Sequence, residues 1–185
     1  MSRDMPPDTA RLFLALCPPG RAVQDALAAH ADAWRWNEEA ARYAPPDWHV
    51  TLHFIGAVPR TRIDTLRAGL DVPLQPFELR FGEPALWPHG LAVLLPMALP
   101  AALQALHDRL GQRLRQLDLP TDERPYRPHL TLARRAPTAR PPAQWPAWGW
   151  QVQGYALMES TGDAAQRYRV LQQYGAPDAG DALRS

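Results

Sequence analysis

Two tetrapeptides in this chain carry groups able to move protons beside an anion: His49-Val50-Thr51-Leu52 and His129-Leu130-Thr131-Leu132. Both share one pattern, histidine, any residue, threonine, apolar residue. Imidazole, with an ordinary pKa of about 6.5, donates or accepts a proton near neutrality. A threonine hydroxyl donates a hydrogen bond to an anionic oxygen. Two imidazoles and two hydroxyls turned toward one ligand would supply an acid, a base and oxyanion contacts for displacement at a phosphodiester. A 2′,3′-cyclic phosphate needs those parts: water attacks phosphorus from one side and a ribose oxygen leaves on the other.

Strands must position these groups. Polar and apolar residues alternate through both tetrapeptides, and β-branched and large apolar residues surround them, so each reads as a strand with histidine and threonine on one face. The surroundings repeat as well. A strand, a proline, an amphipathic helix and a proline-bearing loop precede each copy, and the same separation parts Arg21 from His49 and Ala101 from His129. Two units of this kind favour a pseudo-symmetric pair of lobes over a solenoid.

Residues 11 to 17 form an apolar run stopped by Pro18-Pro19-Gly20, which suits a buried strand. Val23, Leu27, Ala31 and Trp34 recur at helical spacing, Ile63, Leu66 and Leu70 mark a short helix, and Leu103, Leu106, Leu110, Leu114 and Leu117 form the clearest helical stripe. Phe77 to Phe81 and Leu91 to Leu95 read as strands around a Pro88-His89-Gly90 turn. Residues 136 to 148 read as a surface connection. Final strands are expected over Gln151 to Glu159 and Tyr168 to Gln172. The pattern gives one two-lobed α+β domain over 11–174, with 1–10 and 175–185 read as disordered ends.

Bulk composition removes other chemistries. The 20 basic residues are all arginine, so a P-loop lysine and a lysine-linked adenylate are excluded. A net charge of +1 gives no global polyanion signal, so any nucleic-acid contact rests on local charge. A single cysteine, Cys17, rules out an internal disulfide framework and fits a reducing, cytoplasmic setting. Neither a membrane span nor a secretory leader is expected.

With these residues the sequence resembles the 2H phosphoesterase superfamily, and within it the RNA 2′,3′-cyclic phosphodiesterases also called 2′-5′ RNA ligases. The resemblance runs through Arg11 to Leu16, Tyr43 to Gly56, Tyr126 to Arg134, Leu157 to Ser160 and Tyr168 to Leu171. It implies two lobes, each an antiparallel sheet with outer helices, around a cleft lined by both motifs. It implies His49 as the acid on the leaving 3′ oxygen, His129 as the base on water, Thr51 and Thr131 as phosphate donors, and Arg134 as a bidentate phosphate contact. It also implies an RNA end carrying 2′,3′-cyclic phosphate as the partner, a 2′-phosphomonoester product, reversible 2′-5′ joining, no metal or other cofactor, and a monomer.

Two positions depart from the family pattern. Trp48 replaces the usual leucine or histidine and should pack away from His49. His53, where arginine or lysine is common, falls on the catalytic face by period two and is assigned with Tyr126 to the edge of the cleft. The aromatic cluster Trp145, Trp148 and Trp150 reads as packing under the proline-rich loop. Rival readings are a metal site using His49 and His53, a noncatalytic RNA-binding module, and a phosphodiesterase acting on small cyclic nucleotides. The metal site lacks spaced cysteines or an HExxH helix.

Overall fold

A computed structural model describes residues 8–175. Nine strands form one curled sheet in the order β7-β4-β5-β6-β3-β1-β8-β9, with the short β2 pairing to β6. They are β1 (Thr9–Leu16), β2 (Ala41–Arg42), β3 (Val50–Pro59), β4 (Phe77–Trp87), β5 (Leu91–Pro96), β6 (Leu130–Arg134), β7 (Trp148–Val152), β8 (Gly154–Ser160) and β9 (Tyr168–Gly175). Three α-helices, α1 (Gly20–Asp32), α2 (Ile63–Gly69) and α3 (Ala101–Gln116), complete the α+β fold. All strand pairings are antiparallel.

The apolar run in β1 makes it a central strand with both faces covered. Leu12, Leu14 and Leu16 enter the main core, while Phe13 and Ala15 join Ala156 and Met158 in a small cluster on the other face. The leucine stripe of α3 packs as its period demands, with Leu103, Leu106, Leu110 and Leu114 fully buried. α1 buries Leu27, His30 and Ala31. Each of these two helices follows a proline at its N-cap, Pro19 or Pro100. The turn between β4 and β5 needs positive φ at His89 and Gly90. A Cβ on Gly90 would meet the Ala136 nitrogen at 2.8 Å.

The two lobes meet at one register pair, Val50 of β3 with Leu130 of β6. On one side lie β3, β1, β8 and β9, and on the other β6, β5, β4 and β7. Three elements differ from the sequence reading. The segment expected as one strand from Gln151 to Glu159 is two, β7 on β4 and β8 on β1, because the chain crosses between lobes at Gln153. β1 begins at Thr9, inside the 1–10 segment read as disordered, since Thr9 and Ala10 pair with Pro59 and Val58. At the other end β9 runs to Gly175, paired with Gly154, and so enters the 175–185 segment read as disordered. The remaining residues of these ends, 1–7 and 176–185, lie outside the described residues. Among the described residues, no helix is long and apolar enough to cross a membrane.

Candidate active site

The seam between the lobes sets the geometry. Val50 and Leu130 are both fully buried, so the residues flanking them point to the opposite face. Continuing the antiparallel register, Thr51 comes opposite His129 and Thr131 opposite His49. The two histidines are close enough for the charge of His129 to act on His49. The four motif residues therefore converge on one face, as their spacing predicts.

Each histidine is held in the same way. His49 Nδ1 lies 2.8 Å from the carbonyl oxygen of Asp47, and His129 Nδ1 lies 2.8 Å from that of Arg127. A carbonyl only accepts, so Nδ1 carries a proton in both rings and Nε2 is left as the reactive nitrogen. Aromatic neighbours desolvate them. The His49 ring lies 5.0 Å from both Phe13 and Tyr168, and His129 lies 4.5 Å from Trp87. Burial is the largest cause lowering the His49 pKa to about 4, aided by the positive fields of His129 and Arg134 and opposed by the Asp47 carbonyl. Burial also lowers His129, with its carbonyl bond opposing and Arg127 assisting.

Two cavities open on either side of Thr51 and Phe54, which line both. The first, of about 500 Å³, holds His49 and Arg134, together with Arg11, Arg167 and Tyr168. The second, of about 380 Å³, holds His129, His53, Tyr126, Trp87 and Arg127. Thr131 is half-buried beside the seam and pairs with Val93. Arg134 is exposed at the end of β6, its guanidinium carbon 5.9 Å from the centre of the Tyr43 ring.

His53 departs from the period-two expectation. β1 pairs Ala15 with Thr51 but Leu14 with His53, so Leu52 is an extra residue that reverses the facing of the strand beyond it. His53 turns toward α3, where its Nε2 donates to the His107 carbonyl at 2.8 Å and its ring stacks on His107 at 4.1 Å. Gly111 of α3 makes room: a Cβ there would lie 3.3 Å from the His53 ring. Phe54, 53% exposed, takes the outward position between the two cavities, while His53 keeps to the edge of the second. Tyr126 stacks on the other face of this column, 4.1 Å from His107, and its hydroxyl donates to the Thr51 carbonyl at 3.0 Å. That bond ties the loop of the second motif to the strand of the first, where the single seam pair leaves the ladder incomplete.

Several lining residues escape sequence reasoning. Phe13 lies hidden in an apolar run, and Trp87 lies beyond the expected end of its strand. Tyr168, Arg11 and Arg167 reach the site only through the pairing of β1, β8 and β9. The tryptophan cluster stands elsewhere: Trp148 and Trp150 pack on Phe81, and Trp145 lies edge-on to His30. Trp48 is buried, as expected. Among the described residues, no group of three or more His, Cys, Asp or Glu could hold a metal ion.

Comparison with known proteins gives this geometry a family. A model of the 2'-5' RNA ligase superfamily matches residues 23–164. An RNA 2',3'-cyclic phosphodiesterase of Bacillus subtilis (strain 168) is 31% identical over 97 residues, which cover 49% of this chain and 53% of that relative. The chain thus spans about half the length of the curated relative it matches. Among solved structures, E. coli LigT complexed with 3'-AMP aligns with a TM-score of 0.79 at 23% identity, covering 90% of this chain and 98% of LigT. TT0787 of Thermus thermophilus aligns with a TM-score of 0.70 at 23% identity, covering 89% of this chain and 97% of TT0787. At those identities the likeness is one of fold. The match over most of the chain, joined to the paired motifs on their seam, shows that this protein belongs to the 2'-5' RNA ligase superfamily of 2H phosphoesterases.

Proposed function

We propose that this protein hydrolyses 2′,3′-cyclic phosphate ends of RNA to 2′-phosphomonoesters, using His49 as acid and His129 as base without a metal. The observation that carries this reading is the matched tethering of the two rings, each Nδ1 on a carbonyl two residues back, which leaves each Nε2 to the substrate. In the step, a water oxygen bonds to phosphorus while its proton passes to His129 Nε2. The bond from phosphorus to the 3′ oxygen breaks, and His49 Nε2 protonates that oxygen. Thr51, Thr131 and Arg134 hold the non-bridging oxygens as their charge grows. His129, lowered by burial, is neutral as a base must be. His49 is neutral in the free protein and recovers its proton when the substrate anion arrives. The name of the Bacillus relative and the nucleotide bound by LigT support the substrate class. With a 5′ hydroxyl in place of water as the attacking group, the same displacement would open the cyclic phosphate and join the two ends through a 2′-5′ linkage. We assign this activity to a cytoplasmic monomer, a setting consistent with the single cysteine.

The test is an assay of purified protein in excess EDTA on 2′,3′-cyclic oligonucleotides and mononucleotides, with product identification. A 2′-phosphate is expected. A 3′-phosphate would reverse the roles of the two histidines, and turnover restored only by added zinc or manganese would favour a metal site.

A further inference from the structure

We infer that the cavity on the His49 side holds a second phosphate, on the 5′ side of the nucleoside whose cyclic phosphate reacts, and that Arg11 and Arg167 bind it. This rests on the proposed reaction, because the leaving 3′ oxygen faces His49 and so puts the ribose into that cavity.

The charges around the two cavities are unequal. On the His129 side Arg124 pairs with both oxygens of Asp122, at 2.9 and 3.0 Å from its Nε, which leaves Arg127, over Trp87 at 5.0 Å, as the one lining arginine without a carboxylate partner among the described residues. On the His49 side, Arg11, Arg134 and Arg167 line one space with Asp163 as its acidic lining residue. Among the described residues, Arg11 and Arg134 have no carboxylate partner, and Arg167 reaches only Asp47, loosely, at 3.6 Å. Arg134 and Arg167 both lie over the Tyr43 ring, at 5.9 and 4.7 Å. Gathering guanidiniums this way opposes the stability of the empty site and favours an anion. The reacting cyclic phosphate carries one negative charge, and Arg134, on the strand of the second motif, serves it. Arg11 stands across the cavity on β1, its guanidinium 4.8 Å above the exposed Phe54 ring. Arg167 is presented by the β8–β9 loop, which is shaped by bonds from Ala165 to Asp163 and from Asp163 to the Thr161 hydroxyl. Two arginines remain for a further phosphate, as an RNA chain provides and a cyclic mononucleoside does not.

Calorimetric binding of adenosine 2′-monophosphate and adenosine 2′,5′-bisphosphate to the full chain tests this without turnover. The bisphosphate should bind about tenfold or more tighter at low salt, and the ratio should shrink as salt rises. Arg11→Gln and Arg167→Gln should each bring the ratio toward one. A general disturbance of the fold weakens both ligands together and leaves their ratio unchanged. A 5′-methylphosphate ester separates the sources: equal gain from it and from the bisphosphate points to the RNA backbone, and gain from the bisphosphate alone to a free 5′-phosphate end. Equal affinity of the wild-type protein for all three ligands, or a ratio untouched by both substitutions, would overturn the inference. Absence of cyclic phosphate hydrolysis would instead refute the reaction on which it rests.

Discussion

A bound anion should return to His49 the proton that burial takes away. The His49 pKa stands at about 4 in the free protein, so at pH 7 only about one molecule in a thousand carries the proton the reaction needs. A phosphate monoanion about 5 Å from the ring contributes about 3 kcal/mol at an effective dielectric constant of about 20. That lifts the pKa from about 4 to about 6. Histidine-selective NMR titration follows the ring directly, with its resonance assigned by loss in His49→Ala. A midpoint near 4 is expected for the free protein, and one near 6 with saturating adenosine 2′-monophosphate. The kinetics should agree. The ratio kcat/KM reports the free protein and should peak on the acid side of neutrality, because both histidines are lowered, whereas kcat should peak at higher pH. A free midpoint at or above the ordinary value of 6.5, or one that ignores the ligand, would refute the reasoning.

Thr51→Val and Thr131→Val should each lower kcat by about 10–10³-fold, less than loss of a histidine, since each removes one hydrogen bond to a charged oxygen. Single-turnover rates check this, and effects equal to those of the histidine variants would give the hydroxyls a further role. His30 makes a separate prediction about stability. It is 2% exposed and lowered by burial to about 4. Below about pH 6.5 the unfolded chain takes up a proton that the folded one refuses, so its contribution is complete above 6.5 and falls as pH drops toward 4, by about 2 kcal/mol at pH 5. Urea denaturation of His30→Gln should show a correspondingly smaller loss between pH 7 and 5, and an unchanged loss would contradict this.

Local patterns carried much of the fold. The leucine stripe of α3 and the apolar run of β1 each report the burial they meet, and the two motifs report their shared face. Non-local pairing hid the rest. Nothing near Gln153 announces that the chain changes lobe there, because both flanking segments alternate like one strand. β2 is two residues long and exists only through its pairing with β6. The extra residue at Leu52 inverts what period two implies for His53 and brings Phe54 into the cleft, and a bulge shows only against the partner strand. At the site, the motif residues were legible as types and spacing. Their aromatic walls and the arginines across from them come from strands distant in the chain, where a sequence read along its length has no view of neighbours.

The most direct measurement of the central claim is single-turnover opening of adenosine 2′,3′-cyclic phosphate in excess EDTA by the wild-type protein, His49→Ala and His129→Ala, with circular dichroism confirming that all three are folded. Each variant loses the only proton carrier on one side of an in-line displacement, so each should fall by about 10²–10⁴-fold or more while the wild type yields the 2′-phosphate. A folded variant of either kind that retains the wild-type rate would contradict the account.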